Sequence, residues 1–186
     1  MDDALEIRLH GRGGQGTVTL AALLADAAFR SGWQAVGFPA FGTERTGAPV
    51  AAFVRLSRGP IRDRSEVRRP RVVVVQDRTL LDAVDVLDGA EPDAIILVNA
   101  REVPGGFRDT KEIRALPATE IALEHLGAPI TSTAMLGFVA AATELVGIDA
   151  VCEAIDYRFR GEVATRNRAA ARAAFAAARL AAETAA

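Results

Sequence analysis

Apolar and polar residues alternate with a period of two from Leu5 to Leu9, where Leu5, Ile7 and Leu9 are separated by Glu6 and Arg8. That spacing predicts a strand, and Gly11 ends it. From Thr17 to Phe29 the pattern changes. Val18, Leu20, Ala21, Leu23, Leu24, Ala27 and Ala28 form the stripe of a helix, closed by Ser31-Gly32. Further strands are predicted at Gln34 to Phe38 and Val50 to Leu56, with a short extended piece at Ile61 to Arg64. Val72 to Val75 is an unbroken β-branched run that suits a strand covered on both faces. A helix from Thr79 to Leu87 follows, then a second buried strand from Ala94 to Val98.

Glu112 to Leu116 reads as an edge strand and Thr119 to Leu126 as a short helix. From Thr133 onward the chain is helical, with breaks near Gly147 and Gly161 and one long Ala-rich helix over Val163 to Ala182. Buried strands alternating with helices predict an α/β fold: a three-layer α/β/α arrangement, a mostly parallel sheet, a Rossmann-like first βαβ unit and a helical C-terminal third. No linker or repeat divides residues 1–186, so one domain is expected.

Charge changes the picture little. Twenty-two Lys plus Arg against 24 Asp plus Glu give a net charge of −2, with no global field favouring nucleic acid or a membrane surface. The N-terminus is acidic where a secretion signal is basic, and the apolar run Ala134 to Ala142 is too short to span a bilayer. One cysteine, Cys152, can neither close an internal disulfide nor ligate a cluster. A soluble cytoplasmic protein is expected.

Candidate chemistry sits in two loops. Gly11-Arg12-Gly13-Gly14-Gln15-Gly16 matches G-x-G-x-x-G between a predicted strand and a predicted helix that opens at Thr17. Residues without side chains let a phosphate approach backbone amides at the helix N-terminus, where the helix dipole favours an anion. A nicotinamide cofactor also needs an acid at the end of the second strand, and here that strand ends Gly37-Phe38-Pro39. The second loop runs from Phe38 to Pro49 and carries Phe38, Phe41 and the pair Glu44-Arg45. In a parallel sheet it emerges at the same edge as the first. Its aromatics suit a partner surface, and Arg45 suits a carboxylate or phosphate held bidentately.

Smaller features are read structurally. Asp77 caps the following helix, and Gln76 and Asn99 lie at strand ends where α/β proteins place ligand contacts. Thr131-Ser132-Thr133 starts a helix. His10, His125 and Cys152 are assigned packing or exposure rather than chemistry. No catalytic residue and no metal ligand is identified.

The glycine loop with Thr17-Val18-Thr19, followed by Phe41-Gly42-Thr43-Glu44-Arg45-Thr46-Gly47-Ala48-Pro49-Val50, resembles the gamma subunit of 2-oxoacid:ferredoxin oxidoreductases, the pyruvate synthase group. The likeness extends through Phe53-Val54-Arg55, Asp77 with Thr79-Leu80-Leu81, Asn99 and Thr133-Ala134-Met135-Leu136-Gly137, so it covers most of the chain. Thr43, Thr46 and Arg78 depart from the Pro, Arg and Pro usual there. The indolepyruvate oxidoreductases share the glycine loop, but their next loop is less similar.

The resemblance implies a subunit of an enzyme that converts a 2-oxoacid and CoA to acyl-CoA and CO2 while reducing ferredoxin. Thiamine diphosphate, magnesium and iron–sulfur clusters are expected in partner chains, namely catalytic alpha and beta chains and an iron–sulfur chain. No Gly-Asp-Gly motif for thiamine diphosphate occurs here. This chain is expected to close the active site and to help bind CoA through Gly11, Arg12, Gly13, Gly14, Gln15, Gly16 and Thr17, with Glu44, Arg45 and Gly47. The alternatives are a stand-alone NAD(P)-binding protein of Rossmann type and a purely architectural subunit.

Overall fold

A computed structural model of the chain describes residues 4–40, 46–105 and 112–185. In chain order the elements are β1 (Leu5–Arg12), α1 (Thr17–Arg30), β2 (Gln34–Pro39), β3 (Pro49–Ser57), β4 (Val72–Val75), α2 (Leu80–Ala83), β5 (Ile95–Asn99), β6 (Glu112–Leu116), α3 (Ala118–Leu126), α4 (Ser132–Thr143), α5 (Ile148–Arg158) and α6 (Gly161–Ala185). The six strands form one sheet in the order β2-β3-β1-β4-β5-β6. β1, β4, β5 and β6 pair in parallel, and β3 runs antiparallel to both of its neighbours. The sheet is therefore mixed, with five strands pointing one way and β3 reversed.

The reversal follows from chain length. Nine residues separate Pro39 from Pro49, fewer than a parallel crossover needs, so β2 and β3 form an antiparallel pair. β3 then pairs with β1, from Leu5↔Leu56 to Arg12↔Pro49. The Rossmann-like β1-α1-β2 unit is present with an extra strand inserted at its centre.

Side chains alternate across the sheet as the period-two pattern requires. Ile7, Leu9, Val54, Leu56, Val74 and Leu97 join α1 and α4 in the main core, and Val73, Val75, Ile96 and Val98 meet Leu80 and Val86 on the other face. Helix α4 is buried along nearly its whole length, which explains an apolar run too short for a membrane and apolar on every side. No helix among the described residues is long and apolar enough to cross a membrane.

Two sequence expectations are corrected. The helix expected over Thr79 to Leu87 covers only Leu80–Ala83, because Val84 turns extended (φ −141°, ψ 149°) and the Asp85 carboxylate accepts the Leu87 amide at 3.2 Å. Two β-branched valines flanking a turn-forming aspartate compete with the helix. The extended piece at Ile61 to Arg64 joins no strand. The carbonyls of Asp63 and Ser65 accept hydrogen bonds from the buried Arg55 guanidinium at 3.3 and 2.6 Å instead.

Candidate functional site

The glycine loop leaves the C-terminal end of the central strand β1 and enters α1. It is tightened locally by Gln15, whose amide donates to the Arg12 carbonyl at 3.0 Å and whose Oε1 accepts the Arg12 amide at 2.8 Å. Gly16 is the residue before α1 and sits in the left-handed region (φ 83°, ψ 29°). A Cβ there would lie 3.0 Å from that of Ser132, so both conformation and space call for glycine.

Gly16 supplies no side-chain cap to α1. Its carbonyl accepts the Leu20 amide at 2.8 Å, and the amides of Thr17, Val18 and Thr19 have no acceptor among the described residues. These donors border a cavity of about 230 Å³ lined by Arg12, Gly13, Gly14, Gly16, Thr17 and Val18. Open amides at the positive end of a helix dipole are a chemical fit for an oxyanion.

The end of the second loop is joined to the first. The Gly13 amide donates to the Ala48 carbonyl at 2.9 Å, and the Gly47 amide donates to the Gly13 carbonyl at 3.1 Å. Thr46 forms an isolated parallel bridge with Gly13. Phe41, Gly42, Thr43, Glu44 and Arg45 lie outside the described residues. Phe38 belongs to β2 rather than to an exposed loop, and its ring packs 5.5 Å from that of Phe53.

Arg12 is a brace. Its guanidinium donates to the Gly47 carbonyl at 3.0 Å and to Thr79 Oγ1 at 2.7 Å, and it lies 3.3 Å from the Asp77 carboxylate. Gln15 Nε2 donates to the same carboxylate at 3.0 Å. Burial pushes the Asp77 carboxyl up, but hydrogen bonds from Thr79 and Gln15, with the Arg12 charge, hold it below the usual range. The cap expected of Asp77 is corrected: α2 starts at Leu80 without a side-chain cap, and Asp77 instead accepts the Thr79 amide at 3.0 Å in the turn before it and anchors the glycine loop through Gln15. The Arg12 charge is thus partnered within the chain.

Beneath the loop lies a polar layer. Gln76 is fully buried, and its Nε2 donates to Thr131 Oγ1 at 3.0 Å and to the Gln15 carbonyl at 3.4 Å. Asn99 Nδ2 donates to the Gln76 carbonyl and to Thr119 Oγ1, both at 2.8 Å. Through Thr131 this layer brings the start of α4 against the start of α1. Thr17 Oγ1 and Gln76 Oε1 are buried and have no hydrogen-bond partner among the described residues. The sequence marks Gln76, Asn99 and Thr131 only as element ends; their convergence is a property of the parallel β1-β4-β5 order.

A larger cavity, about 860 Å³, lies at the opposite end of β1 and is lined by Glu6, Arg55, Arg62, Asp63 and Arg69, among others. Several of its charges pair with one another, as in Arg55–Glu6 at 2.7 Å and Arg69–Glu91 at 3.1 Å, while Arg62 in the same lining has no ion pair with a described residue. Cys152 is buried in α5, and that burial pushes its thiol up. Among the described residues no three His, Cys, Asp or Glu side chains gather as metal ligands.

Comparison with known proteins bears on what this crevice serves. Residues 6–177 match the family model for pyruvate ferredoxin/flavodoxin oxidoreductase. The chain is 48% identical over 176 residues to the pyruvate/ketoisovalerate oxidoreductases common subunit gamma of Pyrococcus furiosus, covering 92% of this chain and 95% of that one. Against pyruvate synthase subunit PorC of Methanothermobacter marburgensis it is 48% identical over 172 residues, covering 92% and 96%. The crystal structure of pyruvate oxidoreductase subunit PORC from Thermotoga maritima superposes with a TM-score of 0.80 at 36% identity, covering 93% of this chain and 96% of that one. With both loops of the glycine crevice inside the matched span, the chain belongs to the pyruvate ferredoxin/flavodoxin oxidoreductase family, as the gamma subunit of a 2-oxoacid:ferredoxin oxidoreductase.

Proposed function

We propose that this subunit binds a phosphate group of CoA at the start of α1 and closes the active site of a catalytic partner chain. The observation that carries the reading is the uncapped first turn of α1, whose amides border a cavity joined to the Thr46 to Ala48 segment. In the reaction, a 2-oxoacid and CoA give acyl-CoA and CO2, and two electrons pass to ferredoxin. The crevice contributes phosphate binding and exclusion of water from the reacting centre. Glu44 and Arg45 immediately precede Thr46 in sequence, and Arg45 is assigned as the cation for a second phosphate. Arg12, already paired with Asp77, shapes the loop more than it neutralises the ligand.

The residues do not fit the other cofactors of such an enzyme. A lone buried thiol cannot hold an iron–sulfur cluster. The clusters are therefore assigned to an iron–sulfur partner chain, thiamine diphosphate and magnesium, for which this sequence has no Gly-Asp-Gly motif, are assigned to alpha and beta chains, and ferredoxin meets this chain only indirectly.

Gly16→Ala, reconstituted with the other chains, is expected to raise the KM for CoA about tenfold, as loss of about 1.4 kcal/mol of phosphate contact requires. The KM for the 2-oxoacid should not change. Steady-state kinetics on the assembled enzyme makes the measurement, and an unchanged KM for CoA with assembly intact refutes the site. Arg45→Ala is expected to lower acyl-CoA formation while the chains still co-elute. Loss of assembly alone would mean that this loop is scaffolding.

A further inference from the structure

Between β3 and β4, residues 58–71 carry six arginines against two acids, Asp63 and Glu66. Their local charge is +4 in a chain of net charge −2, so the remainder of the chain carries −6. The segment has almost no regular structure, yet its backbone is held from below. Arg55, 3% exposed, donates to the carbonyls of Asp63 and Ser65 and pairs with Glu6. Arg8, 8% exposed, donates to the carbonyls of Val67 at 3.4 Å, Val86 at 3.0 Å and Asp88 at 2.6 Å. Val67 is buried. Withdrawing a guanidinium from water is costly unless its donors find acceptors, and here many of those acceptors are carbonyls of one surface segment. Arg55 is thus committed to fixing this polar loop in one shape, and Arg8, whose shorter bonds go to Val86 and Asp88, adds one longer bond to it at Val67.

The arginines on that loop divide into two groups. Arg58 lies over the Trp33 ring at 3.8 Å, Arg69 pairs with Glu91 at 3.1 Å, and Arg71 pairs with Asp93 at 2.9 Å. Arg62, Arg64 and Arg68 are exposed and have no ion pair with any described residue. Because β3 runs antiparallel to β1, the segment begins beside Leu5, at the edge of the sheet away from Arg12 and the glycine loop. The separation is roughly 25 Å, the length of an eight-residue strand. Whatever binds there leaves the CoA crevice free.

We propose that residues 58–71 form a docking surface for an acidic face on another chain of the same enzyme, with Arg62, Arg64 and Arg68 as the charged contacts. A pre-ordered loop loses little entropy on binding, and interleaved charges of both signs set register against a protein surface. A nucleic acid fits less well. The segment has no aromatic residue to stack a base, Asp63 and Glu66 repel a polyanion, and so does the acidic remainder of the chain.

The test is reconstitution of the purified chain with the remaining chains of its enzyme, with Kd measured at low and at physiological salt. The combined variant Arg62→Glu, Arg64→Glu, Arg68→Glu should bind at least about tenfold more weakly at low salt and lose most of its salt dependence. The triple Gln variant should fall between it and the unmodified chain. A charge-matched control, Arg160→Glu, Arg166→Glu, Arg179→Glu, should bind like the unmodified chain, and circular dichroism should show every variant folded. The proposal is overturned by an unchanged Kd in the first variant, or by an equal loss in the control. It is equally overturned if the chain alone forms a dimer that the first variant abolishes, or if a single-stranded RNA oligomer binds more tightly than the partner chains do.

Discussion

Replacing Gly137 by valine is expected to leave almost no folded protein. Gly137 lies in α4 where α6 crosses it, and a Cβ added there would stand 2.0 Å from the Ala171 carbonyl oxygen and 2.8 Å from its carbon. The obstacle is backbone, so no side-chain rotation relieves it. Neither helix moves freely, since α4 is surrounded by core and Ala170, Ala171 and Ala174 of α6 are buried. Even Gly137→Ala, which gains about 1 kcal/mol of helix propensity, should lose about 2 kcal/mol net through overpacking. The valine variant should lose more than about 4 kcal/mol, a large part of the stability of a typical domain. Urea unfolding of the alanine variant provides the measurement. Ala171→Gly should not rescue it, because the carbonyl remains. A Gly137→Ala chain as stable as the original would show that the two helices separate easily.

Acid should weaken the fold through His10. Burial first, and then the Arg8 charge, push its imidazole down from 6.5 to about 4, and its Nε2 is buried with no hydrogen-bond partner among the described residues. Between those values the unfolded chain takes up a proton that the folded chain refuses. The stabilising contribution is therefore complete above pH 6.5 and declines as pH falls towards 4. The shift corresponds to a loss on the order of 3 kcal/mol across that window. Denaturation at pH 7 and pH 4.5 on the original chain and on His10→Leu isolates the effect, because carboxylate titrations are common to both. The variant should show the shallower pH dependence. Identical slopes would mean that the imidazole is solvated in the folded state.

Much of this architecture is legible in the pattern of side chains. The alternation at Leu5, Ile7 and Leu9, the valine run at Val72 to Val75 and the stripe from Val18 to Ala28 each imply one element, and local periodicity decides each of them. The reversal of β3 is not legible in that way, because Val50 to Leu56 reads the same in either direction. Only the nine-residue connection carries the information. The Val84 to Leu87 stretch misleads for a related reason. Its spacing suits a helix, while the preference of valine and aspartate for extended and turn conformations decides the backbone.

The candidate site divides along the same line. The glycine loop announces itself through residues whose absent side chains are the signal. Its nearness to Thr46 and Gly47 follows from strand direction. That Arg12 pairs with Asp77, and that Gln76 and Asn99 floor the crevice, depends on β4 and β5 lying beside β1, which no local motif encodes. Arg8 and Arg55 look like the solvated partners of an alternating strand, yet they point under a loop and are buried by it.

The reversed strand has one more consequence. In a doubly wound nucleotide fold the first two strands are neighbours, so a carboxylate at the tip of the second reaches the sugar of whatever sits on the first turn. Here β3 occupies that place, and the tip of β2 stands two strand spacings from β1, roughly 10 Å away. Even an aspartate at Pro39 would fall short of a ribose held over Gly13. The glycine signature has been kept while the geometry that would select an adenine dinucleotide has been displaced, and the flank that a second-strand carboxylate would guard is bordered instead by Val50 of β3.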